Sequence, residues 1–202
     1  MEDKKYFSRQ IDESLMARKN STRHKPLLLR GARQVGKSSS VRHLAKQFDY
    51  FVEINFERKP AYLEIFKGDR DAKHIVEMIK SITGEPIVPG KTLLFFDEIQ
   101  MCQEAISSLR FFWEDMPGLH VIAAGSLLEF ALSEIPTFGV GRIHSMFMYP
   151  MSFDEFLNAL GMFSLQKYKR EASPEKPLLS ALHEQLVSLF RTYLMVGGMP
   201  ES

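Results

Sequence analysis

The run Gly31-Ala-Arg-Gln-Val-Gly36-Lys37-Ser38 constrains this chain more than any other feature, because it fits the pattern G-x-x-x-x-G-K-[ST]. Its two glycines permit backbone angles that a side chain forbids, so consecutive N–H groups can curl around a phosphate. The expected cradle is Gly31, Ala32, Arg33, Gln34, Val35, Gly36, Lys37, Ser38 and Ser39, with no catalytic part for Arg33. Lys37 brings a point charge to the β/γ-phosphates, and the Ser38 hydroxyl is a ligand for Mg²⁺. A helix starting at Lys37 adds the positive end of its dipole.

The flanks supply the context such a loop needs. Pro26-Leu-Leu-Leu-Arg30 is apolar on successive residues, which suits a strand covered on both faces. Beyond the loop, Val41, Leu44, Ala45 and Phe48 follow the i, i+3, i+4, i+7 spacing of a helix with one buried stripe. Further strands are expected over residues 50–56, 92–96, 119–124 and 143–148. Helices are expected over residues 7–19 and 71–83, along a stripe from Cys102 to Met116, and briefly after Ser126 as far as Ser133. This alternation is that of a parallel α/β unit. Residues 134–142, broken by two glycines and a proline, read as a mobile loop. Ser152-Phe-Asp-Glu155 reads as a capping box opening a helix. Residues 165–177 are polar and twice interrupted by proline, and are the expected linker before a last helix ending at Gly197-Gly198.

A buried strand, Leu93-Leu-Phe-Phe96, delivers Asp97 and Glu98 to the sheet edge where ligands bind in open α/β folds. There Asp97 can share a Mg²⁺ shell with Ser38, and Glu98 can activate water as a general base. Ser126 at the tip of the fourth strand is a candidate γ-phosphate sensor, or only a helix cap. Arg142 is a candidate arginine finger acting in cis or in trans, or only a surface arginine. Asp115-Met-Pro-Gly118 fits the guanine-nucleotide pattern D-x-x-G but follows a helical stripe rather than the third strand, and N-K-x-D is absent, so ATP is favoured over GTP.

Composition narrows the partners. Lys+Arg is 26 and Asp+Glu is 25, giving +1, which does not support a nucleic-acid partner. One cysteine, Cys102, excludes an internal disulfide and fits a reducing compartment. The charged start leads into no apolar run, and no stretch reaches the ~18 apolar residues of a membrane span. The expectation is a cytoplasmic protein with no membrane partner.

The phosphate loop, Phe-Phe-Asp-Glu-Ile-Gln, Ala-Ala-Gly-Ser-Leu-Leu, Gly-Arg-Ile, Tyr-Pro-Met-Ser-Phe-Asp-Glu-Phe and Tyr-Leu-Met-Val-Gly-Gly-Met-Pro-Glu together resemble the prokaryotic AAA-type ATPases related to the STAND class of signalling NTPases. The resemblance implies a three-layer α/β P-loop NTPase fold whose parallel five-stranded sheet has the order 5-1-4-3-2. It implies ATP and Mg²⁺ as cofactors, and Ser126 and Arg142 near the γ-phosphate. It divides the chain into an ATPase core over residues 1–150 and a helical extension over 151–202. In relatives that extension leads to a further domain of unknown function. Self-association and an unidentified macromolecular partner stay open, as do two other readings: a nucleotide-gated switch with little turnover, and a DNA-associated ATPase.

Overall fold

In the computed structural model, which describes residues 6–68, 71–126, 128 and 141–200, a parallel sheet is layered between helices. In chain order the elements are α1 (Ile11–Lys19), β1 (Leu27–Arg30), α2 (Lys37–Ala45), β2 (Tyr50–Asn55), a 3₁₀ turn (Pro60–Phe66) and α3 (Ala72–Thr83). Next come β3 (Thr92–Asp97), a 3₁₀ turn (Ile99–Met101), α4 (Gln103–Asp115), β4 (His120–Ala124) and β5 (His144–Phe147). The chain then forms α5 (Phe153–Ala159), α6 (Phe163–Glu171) and α7 (Ser180–Val196).

The sheet order is β2-β3-β4-β1-β5, which is the order the resemblance implied. Every pairing is parallel, so all strands finish at one edge. Successive strand residues point to opposite faces, and this sorts the apolar side chains into two cores. Leu28, Val52, Ile54, Leu94, Phe96, Val121 and Ala123 pack under α3 and α4. Leu27, Leu29, Leu93, Phe95, Ile122 and Ala124 pack under α1 and α2. A third cluster, Leu157, Leu165 and Leu186, joins α5, α6 and α7.

Two expected boundaries shift for local reasons. The first helix begins at Ile11 rather than near residue 7, because Asp12 Oδ2 and Glu155 Oε1 take the backbone N–H groups of Arg9 and Gln10. The expected linker is helical over α6, since Leu165 is buried and Pro174 and Pro177 fall beyond the helix end. The predicted short helix after Ser126 and most of the 134–142 loop lie outside the described residues. Among the described residues, no helix is long and apolar enough to cross a membrane.

Phe96 centres the larger core, with ring centroids of Phe66, Phe112 and Phe56 at 5.5, 5.7 and 6.2 Å. Phe96→Ala is expected to cost about 3–5 kcal/mol. Urea unfolding should show a lower midpoint at unchanged slope; a loss below about 1.5 kcal/mol would mean that the neighbouring rings close over the gap.

Candidate functional site

The parallel register brings the polar groups of the sheet to one place. Asn55 pairs with Asp97, Asp97 with Ala124, and Leu29 with Ala124. The residues that follow β1 and β4, Gly31 and Gly125-Ser126, therefore leave the same end of the sheet as Asp97, with β4 between β1 and the strand of Asp97.

The loop from Gly31 to Gly36 turns tightly, with φ of 142° at Gly31, 64° at Gln34 and 98° at Gly36. Gly31 is required twice over. Its angle is one that side chains rarely adopt, and a Cβ there would collide with the carbonyl oxygen of Met148 at the end of β5. Helix α2 starts at Lys37 without a side-chain cap, so its first N–H groups face outward as an anion-binding terminus. Lys37 is buried, and its Nζ donates to the carbonyls of Gly31 (2.9 Å) and Ala32 (2.8 Å). Burial lowers its pKa, while Glu98 and Asp97 pull the other way. Arg33 and Ser39 are exposed, and Arg33 pairs loosely with Glu57 at 3.7 Å.

Asp97, the last residue of β3, is 4% exposed. Ser38 Oγ donates to its Oδ1 at 2.8 Å and Asn55 Nδ2 to its Oδ2 at 3.0 Å; the Arg42 guanidinium stands 3.7 Å from Oδ2. Burial raises the Asp97 pKa, the Ser38 bond opposes this, and Glu53 and Glu98 add to it. Its carboxylate is thus a buried charge with incomplete compensation, a state that favours binding a cation. Glu98 turns out of the strand at φ 54°, a left-handed angle that costs a non-glycine residue roughly 1 kcal/mol or more. Gln100 Nε2 donates to Glu98 Oε2 at 2.5 Å. The same carboxamide lies so close to Gly125 that a Cβ there would collide with its Oε1.

Ser126 is buried beside this edge. Arg142 is elsewhere. It precedes β5 at the opposite edge of the sheet and donates to Glu114 of α4 at 2.7 Å. Within one chain Arg142 is not brought to the phosphate loop, because parallel strands place the residues before a strand and the residues after its neighbour at opposite ends.

One buried cation ties the site together. Arg9 donates through Nη1 to the Val35 carbonyl of the loop (2.6 Å), through Nη2 to the Tyr149 carbonyl (2.8 Å) and through Nε to Glu155 (3.0 Å). The expected capping box forms, since Ser152 and Glu155 satisfy each other's backbone N–H groups. Glu155 also does more than the motif requires. Burial alone would raise its pKa, but the N–H groups of Gln10 and Ser152 and the Arg9 guanidinium hold it below the ordinary carboxylate range. Pro200 reaches the same spot, its Cγ 3.6 Å from where a Gly36 Cβ would stand.

Sequence reasoning missed Arg9, Asn55 and Gln100. Asn55 carried a usable signal, as a polar residue ending an apolar strand next to Asp97's strand. Arg9 carried none, because its partners lie up to 146 residues away.

Residues 23–157 match the family model described as AAA domain. This chain belongs to that AAA domain family. Its fold is similar to a Walker-type ATPase of Pyrococcus abyssi, with 18% identity and a TM-score of 0.57 over 96% of this chain. It also matches the Orc1 protein of Aeropyrum pernix in complex with DNA, at 11% identity, a TM-score of 0.47, and coverage of 77% of this chain and 47% of that one. No curated protein matches. The chain spans 65% of the length of the Pyrococcus ATPase chain.

Glu155→Gln is expected to destabilise the domain by about 3–5 kcal/mol at neutral pH, because it leaves the Arg9 charge buried and unpaired. The folded carboxyl titrates below the unfolded one, so its contribution is full above about pH 5 and is lost as pH falls through the depressed value. Denaturation of both proteins from pH 7 to pH 3 should show the gap narrowing; a gap independent of pH would mean that packing, not charge, is lost.

Proposed function

We propose that this AAA domain binds ATP with Mg²⁺ and hydrolyses the γ-phosphate. The observation that carries the reading is the 2.8 Å bond between Ser38 Oγ and Asp97 Oδ1 at the start of an uncapped helix whose first residue is Lys37. The donor set fits Mg²⁺. The ion favours one or two protein oxygens plus substrate phosphates over an all-protein cage. Ser38 and Asp97 would hold the ion, which when bound neutralises charge on the β- and γ-oxygens.

Lys37 exchanges its bonds to the Gly31 and Ala32 carbonyls for bonds to phosphate oxygens, as the amides of residues 31–39 wrap the β-phosphate. Glu98 takes the proton of the attacking water, and Gln100 orients its carboxylate. Ser126 contacts the γ-phosphate side of the site. Arg142 serves the nucleotide of a neighbouring copy, since its own loop lies beyond the sheet. Residues 151–202 form a helical extension to a core over 1–150, a division supported by the separate cluster of Leu157, Leu165 and Leu186. The relation to the STAND class belongs to this proposal, as does a cytoplasmic location.

A second reading is a nucleotide-gated switch. It is favoured by the approach of Pro200 to Gly36 and by the bond from Met151 N to the Gly198 carbonyl, which tie the last segment to the loop.

ATP turnover with Mg²⁺ should vanish in Lys37→Ala. In Glu98→Gln, nucleotide affinity should stay within about threefold while turnover falls by roughly 10²–10⁴-fold. Full turnover in Glu98→Gln would remove that residue from the chemistry. Turnover per molecule that rises with protein concentration, and is lost in Arg142→Ala, is expected if a second copy completes the site. Tight ATP binding without turnover at any concentration would favour the switch.

A further inference from the structure

At the sheet edge opposite the phosphate loop, α1 and the starts of β1 and β5 bound an open cleft of about 540 Å³. That volume suits a small molecule. Arg18, Arg23, His24, Lys25 and His144 line it, and among the described residues no carboxylate does.

Arg18 is the decisive residue. It is 7% exposed, and its Nη2 donates only to the carbonyls of Lys25 (2.6 Å) and Val121 (3.1 Å). Its Nε is buried without an acceptor. Burial lowers its pKa to about 10, and among the described residues no carboxylate opposes the shift. His24 is equally buried, its Nδ1 also lacks a partner, and its ring is fixed by stacking on His120 at 3.7 Å. A buried cation without a counter-charge is costly. Two carbonyls and the carboxyl-terminal end of α1, worth about half an elementary charge, do not balance the cations gathered here.

We infer that this cleft binds a small oxyanion of the phosphate or phosphomonoester class. Arg23, Lys25 and His144 supply the donors around the opening, and the uncompensated charge of Arg18 in the cleft wall adds to the attraction. The site is separate from the nucleotide loop and does not rest on the function proposed for it. Guanidinium N–H groups favour phosphate oxygens because the contact is charge-assisted and can be doubled.

The test follows the imidazole NMR resonances of His24 and His120 at fixed pH. Inorganic phosphate and glycerol 3-phosphate are titrated separately against sodium chloride of matched ionic strength. Saturable shifts are expected with a Kd on the order of 1 mM or tighter, and they should persist in Lys37→Ala. They should weaken at least about tenfold in Arg23→Ala/Lys25→Ala, a change that leaves the Lys25 carbonyl in place for Arg18. A response to phosphate alone assigns the free anion, and a response to both assigns the phosphomonoester class. Shifts that chloride reproduces, that never saturate, or that disappear in Lys37→Ala would overturn the proposal.

Discussion

The Arg9 guanidinium sits where water cannot compensate it, and a buried ion of this kind is tolerated only when its N–H groups meet well-placed acceptors. Those acceptors are the carbonyls of Val35 and Tyr149 and the carboxylate of Glu155. One belongs to the phosphate loop, one follows β5, and one caps α5. The group thus fixes three segments that sequence separates widely. The cost of misplacing any of them is the several kcal/mol of an unpaired buried charge, which exceeds what a surface ion pair such as Arg33 with Glu57 can contribute.

Around this tie, the sheet does the positioning. Parallel pairing of all strands sends Gly31, Asn55, Asp97 and Ser126 to a common edge. The two cores beneath hold that edge still, because β3 and β4 are buried along their whole lengths on both faces. What the edge offers is only partly neutralised: a buried carboxylate, a buried ammonium held by carbonyls, and an uncapped helix start. These three charges and dipoles are costly alone. They fit a ligand that carries both phosphate and a divalent cation, and membership of the AAA domain family agrees with that reading.

Much of this was legible in the chain because it is encoded over short spans. The loop is fixed by spacing within eight residues, and β3 by an unbroken apolar run ending in acid. The start of α5 follows from a serine and a glutamate three apart, and strand order followed from the family resemblance. What was not legible depends on tertiary partners. Arg9 looks like any helix-flanking arginine until Glu155 arrives. The α6 segment looks like a linker because its polar surface hides the few residues, Leu165 above all, that it buries. Arg142 was expected near the nucleotide from the family resemblance, whereas its place just before β5, in parallel pairing with β1, puts it at the other end of the sheet.

The contact between Gly31 and the carbonyl of Met148 bears on how the protein is made. The loop near the start of the chain takes its shape from residues 148, 149 and 155, and from Pro200 close by. A ribosome emits those residues long after the loop itself. During synthesis the first half of the chain therefore holds the complete nucleotide-binding motif without the walls that shape it. Those contacts can form only once residues 148–155 have left the exit tunnel, so the loop takes its final shape well after its own residues emerge.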